Sequence, residues 1–231
     1  MAARDSHTTS HTTTKGTDLA GEDGGKRAAR VFDALGPAYE KAFAHSEAHR
    51  GSLEWLLGRL SPGSRVLDVG SGTGRPTAET LARAGHHVLG VDVSPVMVEL
   101  AARQVPEAEF RCLDVRELPL EDGSFDAVCV YFSLLQLDRA QQSELIGRLA
   151  GALRPGGSLA LATVPLDVAG VDAVFMGQPV RVTSFAGADL VDVVTGAGLT
   201  VLAEENVLFT PDHPEAVPEP HLFLHCAKAA E

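Results

Sequence analysis

Short apolar runs alternate along this chain with stretches in which leucines recur at helical spacing. The first run, Val66-Leu67-Asp68-Val69, ends at the glycine-rich turn Gly70-Ser71-Gly72-Thr73-Gly74. His87 to Asp92, Phe110 to Asp114, Phe125 to Tyr131 and Ser158 to Thr163 read as further strands. Between them, Pro76 to Ala84, Pro95 to Gln104 and Arg139 to Leu153 read as helices, the last with Leu145, Ile146, Leu149 and Leu153 on one face. Upstream, Arg30 to Ala48 predicts a helix or helix pair broken near Gly36-Pro37, and Ser52 to Leu60 a second helix. Downstream, Val164 to Ser184 reads as irregular and Ala188 to Thr195 as helical. Strands near Leu199 to Phe209 and His221 to Ala227 form a long hairpin across the proline-rich loop Pro211 to Pro220. Residues 1–26 are rich in Ser, Thr, Gly and His with almost no large apolar side chain, so they predict a disordered tail before a domain spanning 27–231. On this reading the tail is dispensable for folding and for ligand affinity, and His7 and His11 are solvated residues of it.

Three successive strands end in a carboxylate: Asp68, Asp92 and Asp114. Helix capping accounts for one such acid, Asp92 and Ser94 standing before the Pro95 helix, but not for all three. A glycine-rich turn lets a ligand approach the backbone closely, and chemistry at such a turn usually belongs to a nucleoside cofactor. Asp68 disfavours a pyrophosphate, which its charge would repel. The dinucleotide fingerprint G-x-G-x-x-G/A would also need a small residue where Arg75 stands; the chain reads G-x-G-x-G instead. S-adenosylmethionine carries a sulfonium and an amino acid end but no phosphate, so a carboxylate near its ammonium is welcome. Asp92 follows the turn by roughly the 20 residues expected of a ribose-binding acid. Asp114 is placed to accept from an adenine amino group.

In this ordered set the chain resembles the class I S-adenosylmethionine-dependent methyltransferases, specifically the small-molecule branch that includes the ubiquinone and menaquinone methyltransferases. The resemblance runs from about Val31 to the C-terminus and is densest between Val66 and Thr163. It implies an α/β Rossmann-like, doubly wound sheet of seven strands, mostly parallel with a reversed last strand, helices on both faces and an N-terminal helical cap. It implies S-adenosyl-L-methionine as cofactor. The cofactor-binding set is Asp68, Gly70, Ser71, Gly72, Gly74, Asp92, Val93, Met97, Asp114, Val115, Tyr131 and Gln136, with no metal. Tyr39 sits where the family often places an aromatic near the methionine end, and it stands with His213 as a candidate catalytic residue. After the fourth strand the chain reads Tyr131-Phe132-Ser133-Leu134-Leu135-Gln136-Leu137, without the Asn/Asp-Pro-Pro-Tyr/Phe box of enzymes that methylate nucleic-acid amino groups. The histidine pair that the quinone branch often has at Leu135 and Gln136 is also missing.

Composition narrows the partners. With 231 residues and 45% hydrophobic content the chain has room for a full core. Net charge of −12 and a pI near 5.1 disfavour nucleic acid and acidic membranes. No run approaches the roughly 18 apolar residues of a membrane span, and no secretory pattern opens the chain. Cys112, Cys129 and Cys226 lack metal-ligand spacing and read as buried free thiols of a cytoplasmic protein. The expected partner is a small-molecule methyl acceptor; a homo-oligomer is allowed.

Two readings survive this, and a third is disfavoured. The first is methyl transfer to a small acceptor on O, N or C in specialised metabolism. The second is a protein of the same fold that uses the cofactor structurally or for a non-methylating rearrangement. A nucleotide-dependent oxidoreductase is argued against by Asp68 and Arg75. For a base, the candidates are His45, His49, His213, His221, Glu204 and Glu205, with His213 foremost because its loop could overhang the acceptor pocket. Aromatic and apolar walls are expected from Tyr39 and its helix, Phe132 after the fourth strand, the Phe175-Met176 segment and the His213 loop.

Overall fold

The computed structural model describes residues 23–214 and 216–230. Its sheet has seven strands in the order β3-β2-β1-β4-β5-β9-β8. These are β1 (Arg65–Val69), β2 (His87–Asp92), β3 (Glu109–Cys112), β4 (Phe125–Tyr131), β5 (Leu153–Thr163), β8 (Leu199–Phe209) and β9 (Glu219–Lys228). The first five pair in parallel, and β9 runs antiparallel to both of its neighbours. The expected sheet with its reversed last strand is therefore present. The strand order reverses beside β1, and that switch point is where open α/β sheets leave a crevice for ligands.

Both faces are covered. On one, α6 (Arg139–Ala152) and α7 (Gly187–Gly196) pack Leu145, Ile146, Leu149, Leu190 and Val194 against Leu67, Val69, Val128 and Val130. On the other, α3 (Glu47–Leu57) and α4 (Thr77–Arg83) pack Leu53, Leu56, Ala78 and Leu81 against Val66, Ala127, Cys129 and Phe223. Near-continuous burial along β1 and β4 follows from having helices on both sides. A capping box starts α6: Gln141 N donates to Asp138 Oδ1 at 2.8 Å, and Asp138 N donates to Gln141 Oε1 at 3.1 Å. Ser94 caps α5 (Pro95–Gln104) by accepting from Met97 N, which leaves Asp92 free for another role.

Three expectations need correction. Residues 1–22 of the expected tail lie outside the described residues, but Gly24, Gly25 and Lys26 belong to α1 (Gly24–Leu35), with Asp23 as its N-cap. The ordered domain therefore starts at least as early as Asp23. The segment after β5 is not irregular: β6 (Val168–Phe175) and β7 (Gln178–Ser184) form an antiparallel hairpin beside the main sheet. Cys112 is exposed because β3 is an edge strand, whereas Cys129 and Cys226 are buried as expected. The break at Gly36 is as expected, and α2 (Pro37–Phe43) follows it with proline in its first turn. Among the described residues no helix is long and apolar enough to cross a membrane.

Candidate active site

A cavity of about 300 Å³ opens at the carboxyl ends of β1, β2 and β4. Its floor is the glycine turn, which two backbone bonds tie to β2: Gly70 N and Ser71 N both donate to Val91 O, at 2.8 and 3.1 Å. Gly70 has φ +69, and a Cβ there would stand 2.2 Å from Ser133 Cβ, so only glycine lets β1 and the segment after β4 meet. Gly72 also has positive φ, but a Cβ on it would meet nothing within 4 Å. Open space lies over that residue, and it faces the cavity.

Asp92 anchors this end. Its Oδ2 accepts from Gly72 N and its Oδ1 from Ser94 N, each at 2.9 Å. An ionised carboxylate has roughly four acceptor sites, so acceptor capacity remains for a ligand beyond these backbone donors. Burial raises the Asp92 pKa against the opposing pull of those backbone donors. Asp114 lines the cavity one strand further out, but Arg116 occupies its carboxylate, with Nη2 at 2.6 Å from Oδ2 and Nε at 3.0 Å from both oxygens. Arg116 reaches Asp23 as well, at 3.1 Å, which fastens the start of α1 beside Asp114. From α1, Arg27 Nε donates to Gln136 Oε1 at 3.3 Å.

The far end is aromatic. Phe32, Tyr39, Phe43, Phe132 and Phe175 line it, brought from α1, α2, β6 and the segment after β4. Tyr39 touches Phe32 edge-on at 5.4 Å and Phe43 at 4.9 Å between centroids. Burial, together with Glu219 and Asp92, holds its phenol above the usual range. Tyr131 is positioned by a buried chain in which its hydroxyl shares a hydrogen bond with Ser52 Oγ, which pairs in turn with His225 Nε2, each at 2.9 Å. Behind this wall His49 bonds Thr77 Oγ1, and burial with a nearby His221 lowers its pKa to about 3.

Of the expected cofactor-binding residues, Gly70, Gly72, Asp92, Val93, Asp114, Val115, Tyr131 and Gln136 line one cavity, with Tyr39 opposite. Asp68, Ser71, Gly74 and Met97 are outside its lining. Side chains alternate along β1, so Asp68 points with Val66 to the face of Cys129 and away from Val69. There its Oδ2 has no hydrogen-bond partner, and burial with Asp92 raises its pKa to about 7. Gly74 packs on Ala101, Val105 and Phe110, and Met97 is wholly buried on the inner face of α5. His213 is also outside the lining: Asp212 N donates to Ala42 O at 2.9 Å, docking that loop on the end of α2. Met176 packs near Val31 and Leu35 instead of lining the cavity. His45, Glu204 and Glu205 are exposed.

Sequence reasoning missed Gly24, Gly25, Ala28, Phe32 and Glu219, all of which line the cavity, whereas Phe43 lies on the Tyr39 helix from which a wall was expected. The only signal for Glu219 was its place two residues before His221, an acid and a histidine on the same face of a strand.

Residues 66–157 match the methyltransferase domain family. An uncharacterized methyltransferase from Synechocystis sp. is 32% identical over 166 residues, covering 67% of this chain and 74% of that protein. The chain belongs to the class I S-adenosylmethionine-dependent methyltransferases. It spans about half the length of the curated demethylmenaquinone methyltransferases it also matches, 57% and 45% of two of them. Two solved structures share the fold at 22% identity. One is the 4+2 cyclase SpnF, with a TM-score of 0.70 over 90% of this chain and 97% of that one. The other is the 1,6-didemethyltoxoflavin-N1-methyltransferase of Burkholderia thailandensis, with bound 1,6-didemethyltoxoflavin and S-adenosylhomocysteine. Its TM-score is 0.69 over 94% of this chain and 93% of that one.

Proposed function

We propose that this methyltransferase transfers a methyl group from S-adenosyl-L-methionine to a small, flat, largely apolar acceptor. The observation that carries the reading is one continuous cavity with Asp92 and the glycine turn at one end and an aromatic wall at the other. At the first end the residues fit a nucleoside. Asp92 keeps free acceptor sites for a ribose diol, Gly72 leaves room for close approach, and Val93, Leu113 and Val115 flank the place for a base. The bound sulfonium would supply an electrophilic methyl carbon. Phe32, Tyr39, Phe43, Phe132 and Phe175 would hold the acceptor and keep water away, and for an in-line displacement such positioning supplies much of the rate. The apolar wall also favours a flat aromatic acceptor over a sugar or a free amino acid. The buried thiols Cys129 and Cys226 suit a cytoplasmic setting.

Titration calorimetry with S-adenosylhomocysteine tests the first end. Asp92→Ala should weaken binding by roughly 1.5–3 kcal/mol, the range for hydrogen bonds to a charged group. Binding of NADH with no binding of S-adenosylhomocysteine would overturn the reading. Transfer of methyl label from the cofactor to a panel of aromatic acceptors separates methylation from a rearrangement that leaves the cofactor intact.

A further inference from the structure

Glu219 begins β9 and lines the cavity beside His221, which contacts the aromatic residues Phe43 and Phe132. Its Oε1 meets His221 Nε2 at 2.8 Å, and among the described residues its Oε2 accepts no hydrogen bond. The His221 side chain is 0% exposed, ringed by Phe132 at 4.4 Å, Phe209 at 5.2 Å and Phe43 at 6.4 Å between centroids. Its other nitrogen, Nδ1, is buried without a partner. With Glu219 ionised, the shared bond requires a proton on Nε2, and it holds the carboxylate in one orientation. The imidazole packs on these rings, and among the described residues its one hydrogen bond goes to Glu219. It positions the carboxylate.

The remaining charges around the cavity give the carboxylate its meaning. Among the described residues, the charged side chains in the wall are Asp92, Asp114 and Glu219, with no Lys, Arg or His. Arg116 compensates Asp114 from behind, Arg27 reaches Gln136, and Asp92 belongs to the cofactor end. Glu219 thus presents an acceptor oxygen to an otherwise apolar lobe, where low polarity strengthens any charge interaction. We propose that Glu219 is the acceptor-recognition residue. It selects flat apolar molecules that offer a hydroxyl or amine donor, or a positive charge, and rejects those bearing a carboxylate. A donor on the acceptor satisfies Oε2, whereas an anion would face an unscreened like charge. The methyltransferase reading enters only in taking this lobe as the acceptor end.

The test uses the full chain and three probes on one ring system: 2-naphthylmethylammonium, 2-naphthol and 2-naphthoate. Affinities are measured by calorimetry with and without saturating S-adenosylhomocysteine. Salt is set near 1 M, where the Debye length is about 3 Å and the general negative field of the protein is screened. The ammonium and the naphthol should each bind at least about tenfold more tightly than the naphthoate. Glu219→Gln should bring ammonium and naphthoate within about threefold of one another without changing S-adenosylhomocysteine affinity. The ratio in the unmodified protein stands as a test should the variant fold poorly. Equal binding of all three probes, tighter binding of the naphthoate, no binding of any probe, or an unchanged ratio in folded Glu219→Gln would each overturn the proposal. Loss of S-adenosylhomocysteine binding with the charge preference intact would instead overturn the methyltransferase reading and leave the recognition role standing.

Discussion

The two ends of the cavity are built in opposite ways. At the glycine end, the turn, Asp92, Val93, Asp114 and Val115 all come from the carboxyl tips of neighbouring parallel strands, so each wall residue lies beside a motif residue in the chain. At the aromatic end, Phe32, Tyr39, Phe43, Phe175, Val180 and Glu219 come from five elements, α1, α2, β6, β7 and β9. The first end is a local consequence of strand, turn and helix geometry. The second exists only after the chain has closed on itself. Affinity for the cofactor should therefore respond to changes in a few consecutive residues, whereas acceptor choice is spread over the whole length.

The largest effect expected at the glycine end is a pH-dependent one at Asp68. Its folded pKa of about 7 lies above its ordinary value of 3.8, so the native protein keeps a proton that the unfolded chain releases. The stability associated with this group is complete below pH 3.8 and is lost as pH rises toward and through about 7. Asp68→Asn removes the titration. In ligand-free protein, the variant should therefore gain on the parent between those limits by up to about 4 kcal/mol. Denaturant titrations across that range check it. A constant difference between the two proteins would show that Asp68 ionises normally and is satisfied in a way the geometry hides.

Gly70 and Gly72 separate backbone strain from crowding within one turn. Both have positive φ, which costs an ordinary residue about 1–2 kcal/mol. Only Gly70→Ala also drives a methyl into Ser133 Cβ, adding an overpacking penalty of about 1–3 kcal/mol. Gly70→Ala should lose roughly 3 kcal/mol of stability, and Gly72→Ala should lose no more than the strain alone. Since the Gly72 methyl would enter the open part of the cavity, that variant should stay folded yet bind S-adenosylhomocysteine weakly. Equal stability losses in the two would show that Ser133 can move aside.

What could be read in advance follows the same division. Strand β4 and helix α5 have the expected bounds, because alternation of apolar runs with capped helices marks their ends. Asp92 was legible because an acid at a strand tip about 20 residues past a glycine turn has a geometric reason to be there. The β6–β7 hairpin was hidden by its turn. Met176 and Gly177 both have positive φ, the pattern of a two-residue turn that usually announces itself as Asn-Gly or Asp-Gly. Asp68 misled because strand alternation sends it to the face opposite Val69, a detail that its position beside the turn conceals. Glu219 was illegible because its significance depends on α2 and on the segment after β4 arriving around it.

The start of α1 tests whether the two ends are coupled. Asp23 Oδ1 accepts from Gly25 N at 2.9 Å, and its carboxylate pairs with the Arg116 that holds Asp114. A chain shortened to begin at Lys26 loses that cap, together with two glycines that line the cavity. Loss of a cap is worth about 1 kcal/mol, so the melting temperature should fall by about 2–4 °C relative to a chain lacking only residues 1–20. Affinity for S-adenosylhomocysteine should fall as well. An unchanged melt with unchanged affinity would return residues 23–25 to the dispensable tail expected from composition.

The smallest effect is expected at the histidine that sequence alone placed foremost. His213 follows a proline and an aspartate in the loop between β8 and β9, and the loop's backbone bond to Ala42 docks it on the end of α2, outside the residues that line the cavity. A group outside the cavity wall cannot come within hydrogen-bond reach of a bound acceptor without the loop moving. His213→Ala should therefore leave S-adenosylhomocysteine affinity, naphthol affinity and any methyl transfer within about twofold of the parent, a difference of roughly 0.4 kcal/mol. Glu219→Gln, some residues further along the same connection, should change acceptor binding strongly. A loss of turnover in His213→Ala with both affinities intact would mean that the loop closes over the acceptor during the reaction, and the aromatic end would then have a moving wall as well as a fixed one.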